Sequence, residues 1–260
     1  MHIRIKAAKL LINLGRVIQS IAVVVMRPDD LIEFNRRYYS KADEIQDWSN
    51  EKWIHSGLSL LEQSLLKKTD ISKGKLLLLG LGGGREAIHL AKMGFLVTGV
   101  DFIPQMVDRA KENAKKNGVE ITGLVQEISI LDVPEGMFDI AWLSAAMYSS
   151  VPTRKKRLGM LKRIGKALKP GGYFVFTFLW RPKLNTSPKI YFLKKMLAWL
   201  SMGNRHYEKG DMLRFNQEFF HAFTSSEELQ AEISAAGLEM ITVQTNDEYE
   251  FAGALARKPL

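Results

Sequence analysis

Four leucines, Leu76-Leu77-Leu78-Leu79, run directly into Gly80-Leu81-Gly82-Gly83-Gly84, and this junction restricts the fold more than any other stretch of the chain. An apolar run without polar alternation is the pattern of a strand buried on both faces, as parallel strands are when helices cover each side. The glycines that end it allow conformations closed to other residues and let the backbone approach a ligand. The helix that begins at Arg85-Glu86 would then aim its first NH groups at an anionic group. About twenty residues further on, Val97-Thr98-Gly99-Val100-Asp101 is a second apolar run that ends in an acid, placed where a carboxylate can accept hydrogen bonds from ribose hydroxyls. A tight strand-to-helix turn with no ligand would explain the glycines but not the acid.

Around this junction strands and helices alternate. The apolar periods predict strands near 75–79, 96–100, 121–125, 138–143 and 172–179, with helices near 85–93, 104–117 and 153–168 between them. The fold class expected is therefore α/β: a Rossmann-like doubly wound sheet, mostly parallel, with an N-terminal helical layer. Glu239 to Gln244 and Tyr249 to Ala256 sit too close together for a crossover helix, so they should form a C-terminal antiparallel hairpin after a helix capped at Ser225 or Ser226. Upstream, Leu31 to Tyr39 and Trp48 to Leu66 read as helices rich in aromatics. The expected organisation is a helical extension over 1–70 and a ligand-binding domain over 71–260, with a lid or substrate insertion near 180–222.

Two cofactor classes use a glycine loop followed by an acid. A dinucleotide fingerprint counted from Gly80 requires glycine where Arg85 stands, so NAD fits poorly and a NAD-dependent oxidoreductase is the less favoured alternative. Leu77 to Arg85 instead resembles the first motif of class I S-adenosylmethionine-dependent methyltransferases, in particular their small-molecule, type 11-like branch. The resemblance continues through Gly99-Val100-Asp101-Phe102-Ile103-Pro104-Gln105-Met106, Glu135-Gly136-Met137-Phe138-Asp139 and Leu168-Lys169-Pro170-Gly171-Gly172. It spans about residues 75–180, with a weaker match near Ala235-Ala236-Gly237. It implies that S-adenosyl-L-methionine is the cofactor, with Gly80, Leu81, Gly82, Gly83 and Gly84 around its methionyl part. By the same resemblance Asp101 and Phe102 lie at the ribose, Glu127 near the adenine amino group, Ile128 beside the ring, and Leu143, Ser144 and Ala145 border the transferred methyl. One position departs from the pattern: the family usually has an acid two residues before the first glycine, and Leu78 stands here. That departure keeps a non-catalytic protein binding the donor or its demethylated product, S-adenosylhomocysteine, as a further alternative.

If the acceptor is a hydroxyl, a proton acceptor must lie within hydrogen-bond reach. The candidates are His221, His206, Tyr207, Tyr38 and Tyr39, for each of which ordinary packing is the favoured explanation. His221 comes first, because Phe219-Phe220-His221-Ala222-Phe223 precedes the last helix on the side where the acceptor cover should lie. No metal is expected: the five histidines lack ligand spacing, and cysteine is absent, which also removes disulfides and a thiolate nucleophile.

The net charge of +9 is segregated. Residues 1–27 carry five basic residues and no acid, the stretch between Asp139 and Glu208 carries fourteen and no acid, and the remaining chain has 37 − 19 = 18 basic against 28 acidic residues. An anionic partner on one side is one explanation and solvated helix faces another. Lys6 to Met26 forms one apolar stripe, with Lys9, Asn13, Arg16 and Ser20 opposite. It reads as a basic amphipathic helix rather than a membrane span or a cleavable signal. Such a helix could lie on an anionic membrane or cap the domain's own core. Ile190 to Leu200 is apolar and aromatic with paired lysines, which suits either a lid or a lipid headgroup interface. The expected partners are a small-molecule or lipid-like substrate and a peripheral anionic membrane contact through residues 3–26 and 188–200. No nucleic acid is expected, because no recognition motif accompanies the basic segments. The expected location is cytoplasmic or peripheral on the inner face of a membrane, and the oligomeric state is left open.

Overall fold

A computed structural model describes residues 3–184, 186–215, 217–246 and 250–260; the side chain of Arg16, His2 and Tyr249, the expected first residue of the last strand, lie outside the described residues. Five helices come first: α1 (Ile3–Val25), α2 (Pro28–Tyr39), α3 (Ala42–Ser49), α4 (Glu51–Ile54) and α5 (Leu60–Lys67). The alternating part follows as β1 (Gly74–Leu79), α6 (Arg85–Lys92), β2 (Phe95–Asp101), α7 (Pro104–Lys116), β3 (Thr122–Val125), β4 (Phe138–Leu143), α8 (Arg154–Ala167) and β5 (Leu168–Trp180). The chain ends with α9 (Pro188–Leu200), β6 (Asp211–Arg214), β7 (Glu218–Phe223), α10 (Ser226–Ala235), β8 (Glu239–Gln244) and β9 (Phe251–Arg257).

The leucine run explains how the layers assemble. In β1 the side chains alternate between faces, so Leu77 and Leu79 enter one core with Phe174, Phe176 and Phe178, while Leu76 and Leu78 enter the other with Trp142, Val175, Leu65 and Leu66. All four are fully buried, which contributes roughly 2 kcal/mol each. Strands β3, β2, β1, β4 and β5 lie parallel in that order. β9 then pairs antiparallel with Tyr173 to Leu179 of β5, and β8 antiparallel with β9, as the C-terminal pattern predicted.

Two sequence expectations change. The helix read over Trp48 to Leu66 is three pieces: Asn50 accepts the Trp53 NH at 2.8 Å and starts α4, Gly57 turns with φ 66°, and Ser59 with Glu62 forms a capping box that starts α5. Within the insertion after β5, β6 and β7 form an antiparallel hairpin, and Ala222 and Phe223 of β7 run parallel to Leu179 and Trp180 at the tip of the 13-residue β5. This hairpin extends the sheet beyond the carboxyl ends of the central strands.

α1 joins the body only through its last turns. Val23 and Val24 are buried with Leu31, Ala198, Tyr207 and Phe219, and the Asn204 NH donates to the Val24 carbonyl at 2.8 Å. The rest of the stripe faces outward, with Leu10 70% and Leu11 68% exposed. Contrary to the sequence reading, the helix is long and apolar enough to cross a membrane: an 18-residue stretch has mean hydropathy 1.6, and only 12% of it is buried. Its few polar residues are outnumbered over that length.

Candidate active site

The glycine loop is shaped by its φ values and by what each glycine touches. Gly80, Gly82 and Gly84 have φ of 76°, 51° and 99°, the left-handed region that side chains avoid. The Gly80 and Leu81 NH groups both donate to the Val100 carbonyl at 2.9 Å, tying the loop to β2. The Gly82 NH donates to Oδ2 of Asp101 at 2.9 Å and the Ile103 NH to Oδ1 at 3.0 Å. Burial pushes the Asp101 carboxyl up to about 6, against the pull of these backbone donors.

Two adjoining hollows, of about 490 and 460 Å³, open along this loop and share Tyr39, Gly80, Asp101, Phe102 and Met147. The first extends to Gln126, Glu127 and Ile128; the second to Trp48, Gly82, Met106 and Ala145. Together they make one elongated cleft at the carboxyl ends of β1, β2 and β4, with Asp101 at its middle.

The roof of the cleft comes from the N-terminal helices. Asn35 clamps α2 to β7 by donating to the Phe219 carbonyl at 3.2 Å and accepting the Phe219 NH at 2.6 Å. The Tyr39 hydroxyl donates to Glu218, and the Arg36 guanidinium lies 5.2 Å over the Phe102 ring. Burial and the Glu218 charge hold the Tyr39 phenol well above its usual value; burial also lifts the Glu218 carboxyl, against its bond to Tyr39 and the charge of Arg214. Gly83 is where this layer meets the loop: a Cβ there would lie 2.3 Å from the Trp48 carbonyl oxygen. Asn113 closes the seam with bonds to the carbonyls of Ser49 at 3.2 Å and Gly83 at 3.0 Å.

Beneath the loop, Arg85 at the start of α6 donates to the Gly57 carbonyl at 2.7 Å and to Glu62 at 3.1 Å, and also pairs with Glu86. Glu62 in turn accepts from Ser144 at 2.5 Å. Leu78 is registered opposite Trp142 in the dry core, so a leucine suits the position where the family resemblance implies an acid.

Of the residues anticipated for the donor, Gly80, Gly82, Asp101, Phe102, Glu127 and Ile128 line the cleft. Leu81, Gly83, Gly84 and Leu143 do not. Leu81 fills the gap left by Gly99, where a Cβ would stand 2.5 Å from its Cδ1. Gly84 packs on Ala110, and Leu143 is wholly in the core. Ala145 lines the cleft, whereas Ser144 is buried against Trp142 and Glu62.

His221 is not at the cleft either. It is 1% exposed, with Nδ1 2.8 Å from Asp211 and Nε2 3.3 Å from Glu228. Burial and the Arg157 guanidinium oppose its charge, but the two carboxylates outweigh them and raise it to about 9. As an imidazolium at neutral pH it has no lone pair with which to accept a proton. His221, Asp211 and Glu208 bring ligand-type atoms within 4.8 Å, a grouping that chain spacing did not foretell. Arg157 occupies the same pocket, 2.7 Å from Glu208 and 2.6 Å from Glu232, and supplies the positive charge there.

The roof residues Ile32, Asn35, Tyr39 and Trp48, and Met147 beyond β4, were not read as donor-site residues from the sequence. The aromatic density of the N-terminal helices was the available signal, and it had already brought Tyr39 forward as a proton-acceptor candidate.

The cleft fits a nucleoside with an amino-acid tail. A Cβ built on Gly82 meets nothing within 4 Å, so the loop offers bare backbone to the tail, and Asp101 offers carboxylate oxygens to a diol. Such a cleft on this sheet defines a Rossmann-like nucleoside-binding enzyme. Residues 76–172 match the family model described as a methyltransferase domain. An uncharacterized methyltransferase of Synechocystis sp. is 33% identical over 148 residues, which is 52% of this chain and 67% of the relative. The ubiquinone biosynthesis O-methyltransferase of Coxiella burnetii is 34% identical over 140 residues, 52% of this chain and 58% of that protein. Among solved structures, a SAM-dependent methyltransferase of Methanosarcina mazei superposes with a TM-score of 0.59 at 22% identity, covering 78% of this chain and 99% of the other. The chain belongs to the class I S-adenosylmethionine-dependent methyltransferases. The donor is therefore S-adenosylmethionine rather than NAD, and the chain spans only part of its curated relatives' length.

Proposed function

We propose that the enzyme methylates a hydroxyl of a lipid-like acceptor at the surface of an anionic membrane. The observation that carries this reading is the outward apolar face shared by α1 and α9. Leu10, Leu11, Val17 and Ile18 on α1, and Phe192 and Trp199 on α9, are all more than half exposed, yet the two helices are joined through the Val23, Val24 and Ala198 core. Neither helix carries an acid, and Arg4, Lys6, Lys9, Lys189 and Lys195 supply positive charge that matches an anionic surface. The docking of the last turn of α1 to the domain favours a helix lying in the interface over one that spans, because a spanning α1 would leave α9's apolar face in water. The similarity to a ubiquinone biosynthesis O-methyltransferase supports a lipid-like hydroxyl acceptor.

In this reading Gly80 and Gly82 hold the amino-acid tail of the donor, Asp101 the ribose hydroxyls, and Glu127 with Ile128 the adenine. When bound, S-adenosylmethionine supplies a methyl group on a sulfonium, which leaves by in-line displacement as the neutral thioether. The roof of α2 and α3 excludes water and aligns the acceptor, and alignment alone lowers such a barrier by several kcal/mol, with ~7 an accessible figure. The acceptor's hydroxyl proton passes to Oη of Tyr39 as Tyr39 gives its own to Glu218. A carboxyl already raised by burial is suited to keep it.

Incubation of the full chain with labelled donor and a membrane lipid extract tests the reading. Label should enter the organic phase as an alkali-stable ether, and Tyr39→Phe should lower turnover about a hundredfold while S-adenosylhomocysteine affinity is kept. Label confined to water-soluble metabolites would overturn the lipid acceptor. High salt should release the wild-type chain from anionic vesicles, and retention through such a wash would replace the interfacial helix by a spanning one.

A further inference from the structure

A third hollow lies between α1, α9 and β6, away from the donor cleft. It opens to solvent; its polar wall is formed by Gln19 and Ser20 of α1, Thr186, Lys194 of α9, Tyr207 and Lys209, and the rest is largely apolar, with Leu184, Met212 and Leu213. Its chemistry is one-sided. Lys194 is half-buried, and its Nζ lies 3.3 Å from the Tyr207 hydroxyl. Lys195 and Lys209 sit 5.8 and 5.6 Å over the Tyr191 ring, which packs against Tyr207 with centroids 5.8 Å apart. Among the described residues none of these three ammonium groups has a carboxylate partner.

One acid, Asp211, does line the hollow, but both its oxygens are committed. Oδ1 faces His221 at 2.8 Å, and Oδ2 accepts from the Glu208 NH at 2.9 Å and from Asn204 at 3.4 Å. The remaining acids behind it, Glu208, Glu228 and Glu232, are engaged by Arg157 and His221. Facing the hollow are therefore donors in excess: the Lys194 and Lys209 ammonium groups, the Tyr207 and Thr186 hydroxyls and the Gln19 amide. Desolvation works against the Lys194 charge and the Asp211 charge offsets only part of it, so an anion brought to the ammonium group would relieve a cost the fold already bears. The apolar part of the wall, Leu184, Met212 and Leu213, offers such an anion no hydrogen bond, so it would be held at the lysine side of the hollow.

We propose that this hollow binds a phosphate group, presented as the headgroup of a lipid in the membrane on which α1 and α9 rest. The position fits that source, since α1 and α9, which supply Gln19, Ser20 and Lys194 to the hollow, also carry the exposed Val17, Ile18, Phe192 and Trp199. A phosphate there would anchor the enzyme at a fixed height and rotation, with apolar side chains in the acyl region and the lysines at the headgroups. The proposal rests on the bilayer reading above for the source of the phosphate and not for the hollow itself.

The test uses the full chain with two probes and two double variants. Vesicles of phosphatidylcholine with and without phosphatidylglycerol report the lipid source, and sn-glycerol 1-phosphate reports the free one. Lys194→Gln with Lys209→Gln should remove about tenfold of the affinity gained from phosphatidylglycerol. Lys6→Gln with Lys9→Gln on exposed α1 should remove less, because diffuse attraction is shared among many charges. In parallel, glycerol phosphate should protect Lys194 from reductive methylation, read residue by residue by mass spectrometry, at constant ionic strength. Protection without any phosphatidylglycerol dependence would keep the phosphate site and assign it to a soluble ligand. Equal losses in the two double variants together with no protection of Lys194 would overturn the site. Failure to bind any vesicle, with Lys194 still protected, would sink the membrane reading and leave the hollow standing.

Discussion

The two buried guanidinium networks of this enzyme solve different problems. Arg85 sits under the glycine loop and ties α6 to Glu62 of the N-terminal layer and to the Gly57 carbonyl; Arg157 sits behind the β6–β7 hairpin and ties α8 to Glu232 of α10 and Glu208 before β6. Arg85 opens the helix that Gly84 of the glycine loop caps, whereas Arg157 is on a helix that the loop does not touch. One network should therefore be felt in donor affinity as well as stability, and the other in stability alone. Both follow the same physical rule: a buried carboxylate left without its cation costs more than the pair contributes.

The largest effect should come from Arg157→Met, which strands Glu232 and Glu208 and should destabilise the fold by about 3–5 kcal/mol in urea unfolding. Folded variant should bind S-adenosylhomocysteine as wild type does. Arg85→Met should lose stability on a comparable scale and donor affinity besides. Equal donor affinity in the two variants would break the comparison.

His221 sharpens it by pH. Its folded value of about 9 stands above the ordinary 6.5, so its contribution is fully present below 6.5 and is lost as pH rises through 9. The raised value corresponds to a contribution on the order of 3 kcal/mol. Wild-type urea midpoints should fall across that window, and His221→Gln should flatten the slope. At the donor end the sign for binding is opposite. Asp101 titrates near 6, and its protonated form loses an acceptor for the ribose, so S-adenosylhomocysteine affinity should fall as pH drops through 6. Asp101→Asn, next in size, should weaken donor binding by roughly ten- to a hundredfold at pH 7, as expected for charge-assisted hydrogen bonds of about 1.5–3 kcal/mol, and should remove that pH dependence.

What could be read from the chain follows the same division. The donor half is written locally: leucines at β1, glycines where φ must be positive, an acid at the end of β2. Each requirement falls on the residue that meets it, and Gly80, Gly82, Asp101, Phe102, Glu127 and Ile128 come to line one cleft. Leu81 and Leu143 were carried along by their neighbours, although the strand period already aims such side chains into the core. The acceptor side is written at long range. Asn35 meets Phe219 across 184 positions and Arg157 meets Glu232 across 75, and no periodicity connects them. The partners of His221 are not legible in the sequence, because Asp211, Glu228 and Arg157 become its neighbours only when β6 pairs with β7 and α10 packs on α8. The exposed face of α1 was visible as a stripe. Its extent outside the core was not, since a stripe has the same period whether it meets protein or lipid.

The smallest effects should separate two adjacent glycines. At Gly83 the space is already filled, because an added methyl would meet the Trp48 carbonyl at 2.3 Å and backbone cannot give way as a side chain can. Gly83→Ala should therefore lift the N-terminal layer from the loop, costing about 1–3 kcal/mol and exposing Trp48. Its fluorescence should shift to the red in the folded variant. At Gly82 the reason for glycine is the backbone alone, with φ 51° and nothing within 4 Å of an added Cβ. Gly82→Ala should cost only about 1 kcal/mol of stability through the left-handed conformation. The methyl group then points into open space on the wall of the donor cleft, so affinity for S-adenosylhomocysteine should fall although the fold scarcely notices. If Gly82→Ala destabilised the fold as much as Gly83→Ala does and left the donor affinity of the folded protein intact, the loop would be serving the sheet rather than the donor.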